Sequence, residues 1–291
     1  MLRSMYSGIS GMKANQTKMD VVGNNVANVG TTAYKKTSTR FSDALYQDSI
    51  FASAPSATLG GVNPGQIGIG TKVSGIFKNM VQGAIQPTGR PSDLAIDGDG
   101  FFTVEIAPNQ IAYTRDGSFS IDMNGNLVTA EGYKVMGTVE KADGTKTQEP
   151  IEIPKEVQVN GGVKKKVISF NFSKDGKLSY LLEDGTKSPE LEPNGNLKPN
   201  QEQQTLKISV FQNPEGLEQF GGNLYIETAN SGTPIENAVY GKINQGAIEM
   251  SNVDLSEEFT EMIVTTRAFQ ASSKVITTSD ELLQEIVNLK R

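Results

Sequence analysis

Apolar residues recur at every seventh position at both ends of this chain. Near the start, Met5, Met12, Met19 and Val26 are spaced by seven, and Leu2, Ile9, Val22 and Val29 fill the steps of three or four between them. Near the end, Leu255, Met262, Phe269, Ile276 and Leu283 keep the same interval, and Phe259 opens a weaker companion row. Sustained spacing of this kind marks helices that bury one stripe against another helix. From Leu255 to Asn288 neither Gly nor Pro intervenes, enough for ~51 Å of helix at 1.5 Å per residue. Asn252 or Asp254 can start that helix. Glu257, Glu258 and Glu261 favour its N-terminal dipole, and Lys290 and Arg291 its C-terminal end. The N-terminal run is poorer. Gly8, Gly11 and Gly23 each cost about 1 kcal/mol relative to Ala, so this helix needs partners to persist. Residues 1–40 hold six Lys/Arg against one Asp, and residues 251–291 hold four against seven Asp/Glu. The two ends are therefore complementary in charge as well as in pattern.

Between the ends the pattern changes. Nine Asx-Gly pairs lie between residues 97 and 195, from Asp97-Gly98 to Asn194-Gly195, and such pairs suit tight hairpin turns. Short β-prone runs separate them: Phe101–Ile106, Ile111–Thr114, Ser118–Ile121, Leu127–Thr129, Val167–Phe172, Leu178–Leu182 and Leu206–Phe211. Closely spaced short strands imply an antiparallel all-β domain. The chain is thus expected to be α+β. Its long terminal helices, within residues 1–35 and 250–291, form a discontinuous coiled-coil-like domain. A β-rich domain over 91–249 is inserted between them, behind an extended, Gly- and Ser-rich connector at 36–90.

The chemistry left open is narrow. The 291 residues include no His, Cys or Trp. This excludes imidazole bases, thiolate nucleophiles, disulfides and metal sites built on those ligands. The loop at Asp97-Gly98-Asp99-Gly100 fails as a calcium site: with Gly100 at the sixth position, Ala95 and Ile106 fall where carboxylates belong. Gly65, Gly68 and Gly70 have the wrong spacing for a nucleotide loop, and no Lys-Ser/Thr follows. Lys164, Lys165 and Lys166 suit a solvated turn or a strand edge. No catalytic, cofactor-binding or metal residue is expected. A net charge of −6 gives no footprint for nucleic acid, and no apolar run is long enough for membrane insertion. The N-terminus lacks the apolar core of a cleaved secretory signal.

Four ordered blocks carry a family resemblance. Residues 2–36 include Asn24-Asn25-Val26-Ala27-Asn28 and Thr31-Thr32-Ala33-Tyr34-Lys35. Asp93–Phe102, Ala112–Phe119 with Leu127-Val128-Thr129, and Ser251–Arg291 follow. Together they resemble the axial proteins of the bacterial flagellar rod and hook, with a variable segment at about 138–205. In that family Gly usually stands where this chain has Ala33, which argues against a left-handed turn there. The resemblance implies a non-enzymatic subunit without cofactors, exported uncleaved by the flagellar type III apparatus to a place outside the cytoplasmic membrane. It implies a helical homopolymer whose inner wall is lined by both terminal helices. Adjoining rod, hook-cap and hook–filament junction proteins are the implied partners. The assembly stripe is then Leu2, Met5, Ile9, Met12, Met19, Val22, Val26, Leu255, Phe259, Met262, Phe269, Ile276 and Leu283. Asn24, Asn25, Ala27, Asn28, Thr32, Tyr34 and Lys35 carry the family signature. Asp254-Leu255, Phe269-Gln270 and the tail Gln284–Arg291 favour the hook, the flexible joint, with the distal rod, a drive shaft, as the near alternative. A β-rich carbohydrate-active enzyme using two carboxylates is the more remote reading.

Overall fold

The computed structural model describes residues 2–55, 60–108, 110–141, 145–159, 163–189, 202–235 and 240–289. The chain divides into two units. The first comprises Met1–Val29, Lys36–Asn79 and Val253–Arg291; the second comprises Gly30–Lys35 and Met80–Asn252.

In the first unit, α1 (Leu2–Ala27) pairs antiparallel with α2 (Leu255–Leu289). Ser4 Oγ lies 3.3 Å from Ser279 Oγ near one end, and Asn25 meets Glu258 near the other. Asp254 caps α2, with its Oδ1 accepting from Ser256 N at 2.8 Å. The expected cationic end, Lys290 and Arg291, lies outside the described residues. Gly8 and Gly11, costly to an isolated helix, have a use in the pair. A Cβ at Gly8 would lie 3.0 Å from Ile276 Cγ1 and 3.2 Å from Ser272 O, and one at Gly11 would lie 3.1 Å from Ser272 Oγ. Both glycines therefore let α2 come close.

The stretch expected as a connector contains paired strands. β1 (Thr37–Asp43) pairs with β4 (Thr71–Lys78), and β2 (Tyr46–Ile50) with β3 (Gly65–Gly68), all antiparallel. The ribbon meets α1 where Gly70 adjoins Ser10 and Thr71 N donates to Ser10 Oγ at 3.3 Å. Arg40 stacks 4.6 Å above the Phe77 ring.

The second unit is built on antiparallel sheets. β5 (Ile85–Pro87) pairs with Ala247–Glu249, and β6 (Leu94–Asp97) pairs with Lys242–Gln245. The largest sheet is centred on β7 (Phe101–Ala107), which pairs with β8 (Gln110–Thr114), β11 (Lys134–Lys141) and Ile208–Ser209. β9 (Ser120–Ile121) and β10 (Leu127–Val128) extend it beyond β11. β7 is buried on both faces. Phe102 and Val104 enter one core with Phe119, Leu127, Val135, Ile151 and Leu178, whereas Phe101 joins Tyr113, Phe211, Leu217 and Tyr225 in another. Aromatic edges meet faces in both, Phe102 against Phe119 at 5.2 Å and Tyr113 against Phe211 at 4.7 Å.

Within the segment expected to vary, Glu156–Val159, Val163–Phe172, Leu178–Leu182 and Lys187–Ser188 form a four-stranded meander. The Asx-Gly turns behave as expected at Gly176 and Gly185, with φ of 77° and 74°. Asp116-Gly117 is different: Gly117 is not in the left-handed region but is packed against the Leu94 backbone. The pairs at 143–144, 160–161 and 194–195 include residues outside the described set. In the lysine cluster, Lys165 forms an ion pair with Asp184.

Candidate functional site

Two constellations gather the residues on which the resemblance rests, one in each unit. The first is the α1–α2 seam. Its most buried members are Ala14, Val22 and Asn25 on α1, and Glu258, Thr265 and Ser279 on α2. The row at 258, 265, 272 and 279 has the seven-residue spacing of the apolar row beside it, but its residues are acidic, Thr or Ser. Of the expected stripe, Met262, Phe269, Ile276 and Leu283 are half-buried, and Leu255 and Phe259 are exposed. On α1, Met5, Met12, Met19 and Val26 are half-buried, Val22 is buried and Ile9 is exposed. The Leu2 side chain lies outside the described set.

Asn25, only 1% exposed, closes the seam. Its Nδ2 donates to Thr37 O at 2.8 Å and to Glu258 Oε2 at 3.1 Å, and its Oδ1 accepts from Thr37 N at 3.0 Å. One amide thus ties the end of α1 to the start of β1 and the first turn of α2. Lys36 Nζ adds an ion pair to Glu257 at 2.7 Å, and Lys18 one to Glu261 at 2.7 Å. Partial burial works against the charge on Lys36, but Glu257 and Glu258 outweigh it and hold its pKa above the ordinary value. Glu258 is therefore not only a dipole partner, as its place in the first turn implied, but a buried acceptor. Asn24 is exposed and bonds Asn28, whose Nδ2 reaches Asn24 O at 2.9 Å; Ala27 is exposed.

The second constellation is a buried ion cluster in the second unit. The side chains of Lys35, Arg115 and Glu249 are 1%, 5% and 0% exposed. Lys35 Nζ donates to Glu249 Oε1 at 2.6 Å and to Val81 O at 2.9 Å. Arg115 NH1 reaches Glu249 Oε2 at 3.3 Å, NH2 donates to Gly98 O at 2.8 Å, and the guanidinium lies 5.3 Å from the Phe101 centroid. Gly83 N also donates to Glu249 Oε1, at 2.8 Å. Burial pushes the Lys35 pKa down; Glu249 opposes the shift and Arg115 adds to it. Two signature blocks, ending at Lys35 and containing Arg115, thus share one carboxylate. Ala33 beside them is buried with φ 54°, so the left-handed turn is kept without glycine, and its N–H donates to Glu249 O at 2.9 Å. Thr32 O accepts from Asn223 Nδ2 at 2.9 Å, and Tyr34 is buried.

Glu249 could not be singled out from sequence, because nothing local marks it. Asn25 carried a signal: a polar residue set between Val22 and Val26 in an apolar row. Among the described residues there is no group of three or more Asp or Glu placed to hold a metal, and no helix is long and apolar enough to cross a membrane.

Phenols line the same unit. Burial pushes Tyr113 up to about 12, with Glu227 adding to it, and Tyr225 up to about 12, with Tyr34 and Glu249 adding and Arg115 opposing. Burial also raises Tyr180, whose hydroxyl donates to Glu152 O at 2.9 Å. Folded values above the unfolded one mean that this stability is intact below the ordinary pKa of 10.0 and is lost as pH rises towards 12. Alkaline unfolding is expected in that window, with phenolate absorbance rising together with loss of near-UV circular dichroism. Tyr113→Phe should move the midpoint to higher pH.

Comparison with known proteins shows the family. Residues 5–35 match the family described as flagella basal body rod protein, 95–180 the flagellar hook protein FlgE/F/G D1 domain, and 244–289 the flagellar basal body rod FlgEFG protein C-terminal. The flagellar basal-body rod protein FlgG of Bacillus subtilis is 45% identical over 297 aligned positions that cover all of both chains. The chain belongs to the flagellar rod and hook protein family. That family is structural, not enzymatic. FlgG of Borreliella burgdorferi is 37% identical over the whole of both chains. The flagellar hook protein FlgE of the same organism is 29% identical, again over both whole chains, but across 442 positions. The expected preference for hook over rod is therefore reversed: the rod relatives are more similar, and they align at nearly this chain's own length.

Proposed function

We propose that the protein is a rod subunit of the flagellar basal body, a segment of the drive shaft rather than of the flexible hook. The observation that carries this reading is the end-to-end match to rod proteins of nearly the same length, against a hook relative that needs a large insertion. In this reading the subunit polymerises with copies of itself, joins neighbouring axial proteins and is exported uncleaved by the flagellar type III apparatus. It works outside the cytoplasmic membrane.

The terminal helices supply the polymer contacts. Among their exposed residues, Phe259, Ile263, Val264, Val275, Leu282 and Ile286 present apolar surface that the helix pair leaves uncovered. The half-buried Met262, Phe269, Ile276 and Leu283 serve both the pair and its neighbours. The remote enzymatic reading has no support in the family.

Electron microscopy of basal bodies from a strain lacking the gene tests the assignment. Absent or shortened rods are the expected result. Complete rods that lack only the hook would overturn it in favour of the hook.

A further inference from the structure

Residues Gly30–Lys35 belong to the second unit, whereas the segments on either side, through Val29 and from Lys36, belong to the first. The Asn25–Thr37 bonds close these flanks into a loop within the first unit. The six residues are thus a strap, pinned at its base and buried along its second half, Ala33–Lys35.

The strap is held unlike the strands around it. It joins no sheet ladder. Its attachments include the Ala33 N–H and the Lys35 ammonium on Glu249, Lys35 on Val81 O, Asn223 on Thr32 O, and Asn252 N on Tyr34 O at 3.3 Å. Two of its buried residues are costly to keep docked. Ala33 holds a left-handed backbone, which disfavours any side chain. Lys35 is a buried cation beside a second one, Arg115, and the two share a single carboxylate; Arg115 Nε has no hydrogen-bond partner among the described residues. A segment with few ladder bonds and a strained, charge-dependent anchor opens at lower free energy than the core it sits on.

From this we infer that Glu249 is the latch of a detachable strap: its carboxylate sets the balance between a docked and a released state of residues 30–35 while the β core stays folded. Release frees a six-residue loop, about 20 Å of extended chain. Lys35 then reaches water, and Glu249 keeps Arg115 and the Gly83 N–H. The inference concerns the subunit itself and holds for a rod or a hook assignment.

The chain has no cysteine, so one introduced thiol reports on the strap alone. In full-length protein carrying Thr32→Cys, maleimide labelling should be at least tenfold faster in Glu249→Gln than with Glu249 intact. Hydrogen exchange of core peptides containing Val104 and Leu127 should be unchanged. Glu249→Asp, which keeps the charge but draws the carboxylate back from the Lys35 ammonium, should accelerate labelling in the same direction should Glu249→Gln not fold. Equal labelling rates with and without the latch would overturn the inference. So would core exchange that rises by the same factor as labelling, because the cluster would then be ordinary core.

Discussion

Gly117→Ala is expected to destabilise the second unit by more than about 3 kcal/mol, a large share of the roughly 5–15 kcal/mol available to a domain. The reason is steric. A Cβ at this position would fall onto the carbonyl of Leu94, with the rest of the Leu94 backbone also in reach. A side chain could rotate away; a backbone cannot, least of all here. Leu94 N donates to Gly117 O at 3.0 Å, and Leu94 is fully buried in the main core. The methyl must therefore push apart two segments that a hydrogen bond and the core hold together. Thermal unfolding followed by near-UV circular dichroism measures the loss. Gly132→Ala is the control, since a Cβ there meets nothing within 4 Å, although its φ of 90° still adds some strain. An effect no larger at Gly117 than at Gly132 would show that the Leu94 strand can move aside.

Asn25→Ala is expected to cost the first unit about 3 kcal/mol, because one truncation strands several buried groups at once. Thr37 loses partners for both its N–H and its carbonyl, and Glu258 loses a donor while 4% exposed. Helical circular dichroism at low temperature should fall as α1 frays, while the aromatic signal of the second unit persists. Asn25→Asp sharpens the test. It places a carboxylate where the amide met Glu258 Oε2 at 3.1 Å, so two like charges share a buried site. Their repulsion raises the pKa of one of them in the folded state. A raised folded pKa gives stability that is present at low pH and lost as pH rises through it. The Asp variant should therefore recover on acidification, and the Ala variant should not. Parallel pH profiles for the two would rule out the Asn25–Glu258 contact as the cause.

Most of the architecture was legible because it rests on local pattern. The seven-residue spacing placed both helices, and six of the seven β-prone runs correspond to single strands; Leu206–Phe211 breaks between the strands Glu202–Leu206 and Ile208–Ser209. The failures have a common physical origin. In this unit the apolar row is not the buried row: Met262, Phe269, Ile276 and Leu283 are half-buried, whereas Glu258, Thr265 and Ser279 are buried. A row of Glu, Thr and Ser at 258, 265, 272 and 279 carries no hydrophobic signal in the sequence. Gly8 and Gly11 were read through helix propensity, a property of one helix, whereas their value lies in the approach of a second. Glu249 lies 214 residues from Lys35 along the chain, and no window of sequence contains both. Phe269 points to the hook, but the ring is only half-buried, and the full-length match to rod relatives outweighs it.

The bond from Ala33 to Glu249 changes the arithmetic of closing the helix pair. Asn25 and Glu258 are 233 residues apart, and closing a loop that long costs an unfolded chain about 5 kcal/mol in entropy. Once the second unit has folded, residues 33 and 249 are already neighbours. The path from Asn25 to Glu258 then shrinks to roughly 17 residues, and the closure cost to about 2.5 kcal/mol. The β unit, once folded, thus acts as a clasp that lowers the entropic cost of bringing the two chain ends together. For a seam whose most buried row on α2 is polar, Glu258, Thr265 and Ser279, a saving of that size matters.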